Sequence, residues 1–160
     1  MRVAMPDALV TGLLWFSALG CGLLGGLYFA FSAFIMTALK DSGMAGVTAM
    51  NAVNRVILKS LFMPLFLGTT LASGALAVIG LLRFDDPRAL WMIAGGVLYV
   101  AGMFGVTMLF NVPLNNALMN VTAESRTGMA IWNDYLRRWT RWNHVRTLAC
   151  LGAAALFLNC

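Results

Sequence analysis

Charge is what this sequence has least of. Asp, Glu, Lys and Arg make up 11% of its 160 residues and hydrophobic residues 61%, where a soluble domain carries roughly a quarter charged residues. With a mean hydropathy of +0.82 the chain has too little polar surface to stay in water, so it reads as an integral membrane protein. Acids are scarcer than bases, six against eleven, giving a net charge of +5. Apart from Asp134 at the mouth of the last one, no Asp or Glu lies inside the apolar runs, which removes the carboxylate ligands of a di-iron bundle and makes a proton-coupled transporter a poor reading. The basic excess forms no separate domain, so nucleic acid is a poor partner. It suits membrane orientation and anionic headgroups instead. Three cysteines without a C-x-x-C argue against a disulfide framework or zinc. One histidine cannot supply a His-rich metal site, although a single-His haem ligand stays open. There is no internal repeat and no low-complexity tail.

What the chain does have is four apolar segments, each longer than the roughly 20 residues that span a bilayer. They run over about 8–38, 54–82, 89–118 and 132–159. Helices satisfy their own backbone groups in lipid, so the expected fold is all-α: a single domain over 1–160, an up-down four-helix transmembrane bundle. The first run exceeds the roughly 7–15 apolar residues of a signal peptide and is expected to stay as a span. "KDSGMAGVTAMN" (40–51), "RFDDPR" (83–88) and "NVTAESRTGM" (120–129) are the junctions. In the first helix Ala18, Gly22, Gly26 and Ala30 recur every four residues. Such a stripe lets helices approach closely, within the bundle or at a homo-oligomer face through Gly22 and Gly26. Lys40, Arg55, Lys59, Arg126, Arg137, Arg138, Arg141 and Arg146 flank the first and third loops, against Arg2, Arg83 and Arg88 on the other side. Loops 40–53 and 119–131 are therefore expected in the cytoplasm, the whole being a multi-pass protein of a bacterial inner membrane.

The polar residues gather at one end of this bundle. Helix 1 brings Ser32 and Thr37, helix 2 Asn51 and Asn54, and helix 3 Asn111, Asn115 and Asn116. Thr107, Asn111 and Asn115 share a helix face, and Pro113 removes one hydrogen bond and clashes at the Leu109 carbonyl, which predicts a kink. Helix 4 opens with "WTRWNHVRT" (139–147). At about 100° per residue, Asn133, Thr140, Asn143, His144 and Thr147 share one arc, expected to face the bundle. Trp132, Tyr135, Trp139, Trp142 and Arg146 share the next arc, with the aromatics as interface anchors and Arg146 snorkelling to the headgroups. His144 is too short to snorkel, and an ionisable group inside a membrane is a functional-site hypothesis.

"FAFSAFIMTAL", "AMNAVNR", "NVPLNN" and "WNDYLRRWTRWNHVRT" resemble, in that order, the anthrone oxygenase-like family of small four-helix membrane proteins. The resemblance covers nearly the whole chain and implies the four-helix fold, together with oxidation of anthrones to anthraquinones by O₂ with no known cofactor. In that reading a base removes a proton from an apolar phenol- or enol-forming aromatic substrate, and the electron-rich anion reduces O₂ directly. Imidazole exchanges protons near neutrality, which makes His144 the candidate base. Arg146, Asn143 and Asn111 are candidate anion stabilisers. Asn51, Asn54, Asn115, Ser32, Phe34, Trp139 and Trp142 are candidate substrate contacts. No metal or cofactor is expected. The alternative is a non-catalytic pocket for a quinone, haem or lipid-like ligand.

Overall fold

The computed structural model describes residues 7–121 and 126–160, the latter without the side chains of 126 and 127. Every regular element among them is helical. The described residues form five helices rather than the expected four: α1 Asp7–Asp41, α2 Met44–Ile57, α3 Phe62–Leu82, α4 Ala89–Met119 and α5 Arg126–Leu158. By length and composition α1, α3 and α4 are apolar enough to cross a membrane.

The expected second span, 54–82, breaks in two at residues 58–61. Pro64 explains the break, because in a continuous helix its ring would strike the carbonyl four residues back, at Ser60. Ser60 closes the resulting turn: its Oγ donates to the Ile57 carbonyl at 2.9 Å and accepts from the Phe62 N–H at 3.2 Å. Most of the expected loop 40–53 is likewise helix α2, leaving a tight turn at Ser42–Gly43. Gly43 has φ +56°, a conformation that needs no Cβ. α5 begins at Arg126 rather than at 132. Residues 122–125 of the expected loop 119–131 lie outside the described residues.

Contacts between the long helices run antiparallel. Gly80 abuts Ala89 while Gly96 abuts Ser73 and Ala77, so α3 and α4 reverse across the turn. Gly25 meets Cys150 and Tyr28 meets Asn143, which reverses α5 against α1. Gly102 meets Ala149 and Asn111 meets Trp139, which reverses α5 against α4. The main core lies among these four helices, with Leu14, Cys21, Leu24, Leu76, Met92, Tyr99 and Phe157 buried in it.

The small residues that permit this closeness are not the expected pair. A side chain at Gly22 or Gly26 would meet nothing, so both face outward. Gly20 and Gly25 are the buried ones: a Cβ on Gly20 would collide with Thr69, and one on Gly25 would lie 3.1 Å from Cys150 Cβ.

α1 and α4 are not α-helical throughout. Phe31–Ile35 of α1 widens to π-helix, as do Val100–Gly105 and Thr107–Asn111 of α4. The second stretch of α4 ends just before Pro113, where the sequence predicts a kink, and the looser i→i+5 turn relieves the proline's clash. Such bulges are uncommon and cluster at functional sites.

Candidate functional site

The π-helical stretches carry Ser32, Thr107 and Asn111, and all three meet the same part of α5. At its centre is Arg146, 5% exposed. Its Nη2 donates to Asn143 Oδ1 at 2.6 Å and its Nη1 reaches Thr107 Oγ1 at 3.5 Å. The guanidinium carbon stands 4.3 Å from the Tyr28 ring centroid and 5.0 Å from that of Trp139. Nε has no partner, and among the described residues no carboxylate pairs with this cation.

Asn143 is fully buried and ties α5 to α1. Its Nδ2 donates to the Tyr28 carbonyl and to Ser32 Oγ, each at 2.6 Å, and its Oδ1 accepts from Arg146. Thr107 donates to the Met103 carbonyl at 2.7 Å, which leaves its oxygen free to accept from Arg146. A cation out of water costs several kcal/mol of desolvation. Here neutral dipoles and two π faces offset that cost, and the site stays short of negative charge.

Beside it lies an aromatic cluster in which Trp132, Tyr135 and Trp139 are buried, with Met36, Met50 and Leu118 around them. Tyr135 donates to Asn115 Oδ1 at 2.9 Å, Asn111 Nδ2 to the Trp139 carbonyl at 3.3 Å, and Asn51 Nδ2 to the Leu118 carbonyl at 3.3 Å. Several buried polar atoms here have no partner: Trp132 Nε1, Trp139 Nε1, Asn54 Nδ2, Asn111 Oδ1 and Asn51 Oδ1. Unsatisfied buried groups in this number call for a water or a ligand.

Of the expected site residues, Arg146, Asn143, Asn111, Trp139 and Ser32 come together around the cation. Asn51, Asn54 and Asn115 belong to the aromatic cluster. Trp142 is half-buried and stacks on Phe110 with centroids 3.7 Å apart. Phe34 does not join: it is 61% exposed, and Phe31 meets Trp139 instead, at 5.7 Å.

The rotation of α5 differs from expectation. Asn143 and Thr147 face inward, but Asn133 and His144 are exposed. The inward stripe is Trp132, Tyr135, Trp139, Asn143 and Arg146, so Arg146 is buried rather than snorkelling and these two tryptophans are core rather than interface anchors. His144 lies instead on a groove of about 620 Å³ between α1 and α5. Ser32 links the two regions, since it lines this groove and accepts from Asn143. Two residues join the site beyond the expected ones: Tyr28, and Thr107, expected only to share a face with Asn111 and Asn115. The spacing of Tyr28 and Ser32, one turn apart, was the available signal for their joint role.

No three His, Cys, Asp or Glu side chains converge among the described residues. No curated protein and no solved structure matches the chain. The family model described as anthrone oxygenase matches residues 50–156, which takes in the second half of α2, all of α3 and α4, and the Asn143–Arg146 pair. That is more than half of the sequence, and the chain belongs to the anthrone oxygenase family.

Proposed function

We propose that this protein is a membrane-embedded oxygenase that oxidises an apolar, enolisable aromatic of the anthrone type with O₂, and that Arg146 stabilises the enolate. Family membership supports an oxygenase-like role. The observation that carries the residue assignment is the buried guanidinium, held between two aromatic rings and with no paired carboxylate among the described residues.

The CH₂ between the two rings of an anthrone is acidic because its conjugate base delocalises charge onto the carbonyl oxygen. A cation fixed in a dry, low-dielectric site stabilises that oxygen more than water does. The enolate then passes one electron to O₂, and the two radicals combine at carbon. The resulting hydroperoxide loses water to leave the second carbonyl. Anthrone and O₂ become anthraquinone and water, and the atoms balance without a metal or cofactor.

In this reading His144 takes the proton from the groove side. Ser32 and Asn143 connect the groove to the Arg146 cation. Trp139, with its unpartnered indole N–H, and the stacked pair Phe110–Trp142 would flank a planar ring system. We read α5 as a fourth span, its first half at the membrane surface, with the lysine- and arginine-rich end cytoplasmic.

The test is purified protein in nanodiscs with anthrone in chelator-treated buffer. The expected result is one O₂ consumed per anthraquinone formed, above the protein-free rate, and loss of the excess in Arg146→Met. A rate equal to spontaneous autoxidation refutes the oxygenase. Saturable anthrone binding without O₂ uptake would favour the binding-protein reading.

A further inference from the structure

The groove has its own chemistry, separate from the buried cation. Its floor includes Met36 and its walls carry the hydroxyls of Thr37 and Thr140. Among the described residues three cations, Lys40, Arg137 and Arg141, line it together with His144, and no carboxylate does. The nearby acids offset only part of this charge. Asp134 pairs with Arg137 at 2.6 Å and with Arg138 at 3.3 Å. Asp41 is exposed beside Lys40, and among the described residues neither Lys40 nor Arg141 has an ion pair. Lys40 stands at the last turn of α1, one of the membrane-length helices. The groove is therefore at headgroup depth, where each cation adds to the attraction for an anion.

We infer that this groove binds the anionic end of an amphiphile, a phosphate or a carboxylate held by Lys40 and Arg141 with its apolar body against Met36. The inference stands whether or not the protein is an oxygenase, because its readout is binding. Two sources share this chemistry, an anionic lipid headgroup and a carboxylate on an aromatic substrate. In the second case the groove is also the entrance, through Ser32, to Arg146.

The experiment measures binding to purified full-length protein in dodecyl maltoside by microscale thermophoresis. The probes are dioleoylphosphatidylglycerol against dioleoylphosphatidylcholine, and anthraquinone-2-carboxylate against anthraquinone. At least one anionic probe is expected to bind about tenfold or more tightly than its partner without net charge. The double variant Lys40→Gln/Arg141→Gln is expected to lose that preference, and Arg138→Gln, outside the groove, to keep it. A larger preference for the phospholipid assigns a lipid site, and for the carboxylate a substrate site. No charge preference in either pair, or one that survives in a double variant with unchanged helical circular dichroism, overturns the inference.

Discussion

Replacing Arg146 by Met is expected to abolish activity while leaving the fold nearly as stable as before. The bond from Arg146 to Asn143 at 2.6 Å is charge-assisted, worth about 1.5–3 kcal/mol. The stacks on Tyr28 and Trp139 add up to about 2 kcal/mol each when desolvated. Against these stands a desolvation penalty of several kcal/mol, so the net contribution of the charge is small. Met fills similar space without that penalty, and the change should fall within about 2 kcal/mol of neutral. Asn143→Leu should be the worse lesion. It leaves the guanidinium buried without its acceptor, at about 3–5 kcal/mol, and removes two further bonds to α1. Thermal unfolding in detergent ranks the two variants, and kcat/KM for anthrone oxidation should fall about 100-fold or more in both. If Arg146→Met is the less stable variant, the cation is a structural keystone and the reasoning fails. If it keeps wild-type kcat/KM, the cation is not the enolate stabiliser.

Other outcomes follow from the same geometry. His144→Ala should reduce turnover less than Arg146→Met does, since an enolate stabilised by a cation tolerates a weaker base; equal losses would give the imidazole equal weight. Phe34→Ala should leave turnover unchanged, because the ring points away from the cluster. Gly96→Ala should destabilise by about 1–3 kcal/mol, since its Cβ would collide with the Ser73 carbonyl, whereas Gly22→Ala, with open space around it, should be silent in unfolding scans of the monomer. Bonds from the Arg88 side chain and backbone hold the Asp86 carboxyl down to about 2. Its folded value is thus below its unfolded one, so the stabilisation is complete above about pH 4 and fades as pH falls toward 2. Asp86→Asn should flatten that part of a stability–pH curve, and an unchanged acid limb would show that the turn at 83–88 contributes nothing there.

The sequence and the fold agree where the signal is a long run of one kind of residue. The spans at α1 and α4, the turn at 83–88 and the crowding of carboxamides toward one end were all legible, because hydrophobic length and residue order do not depend on neighbours. The motifs NVPLNN and WNHVR were legible as a family resemblance for the same reason. The second span was misjudged because its apolar run continues through the break, and the one residue that forbids a continuous helix, Pro64, sits three residues after the turn ends.

Composition and order alone determine that this is an apolar, all-helical, membrane-type chain with its polar groups near the ends of several helices. Only the tertiary structure decides which of those groups meet. On α5 the polar and aromatic arcs are adjacent, and one residue step of about 100° separates Asn143, bonded into α1, from His144 on the groove. Local sequence carries no preference between those rotations. Packing supplies it, because burying Trp132, Tyr135 and Trp139 turns Arg146 inward with them, and the π-helical stretches of α1 and α4 bring Ser32 to Asn143 and Thr107 to Arg146.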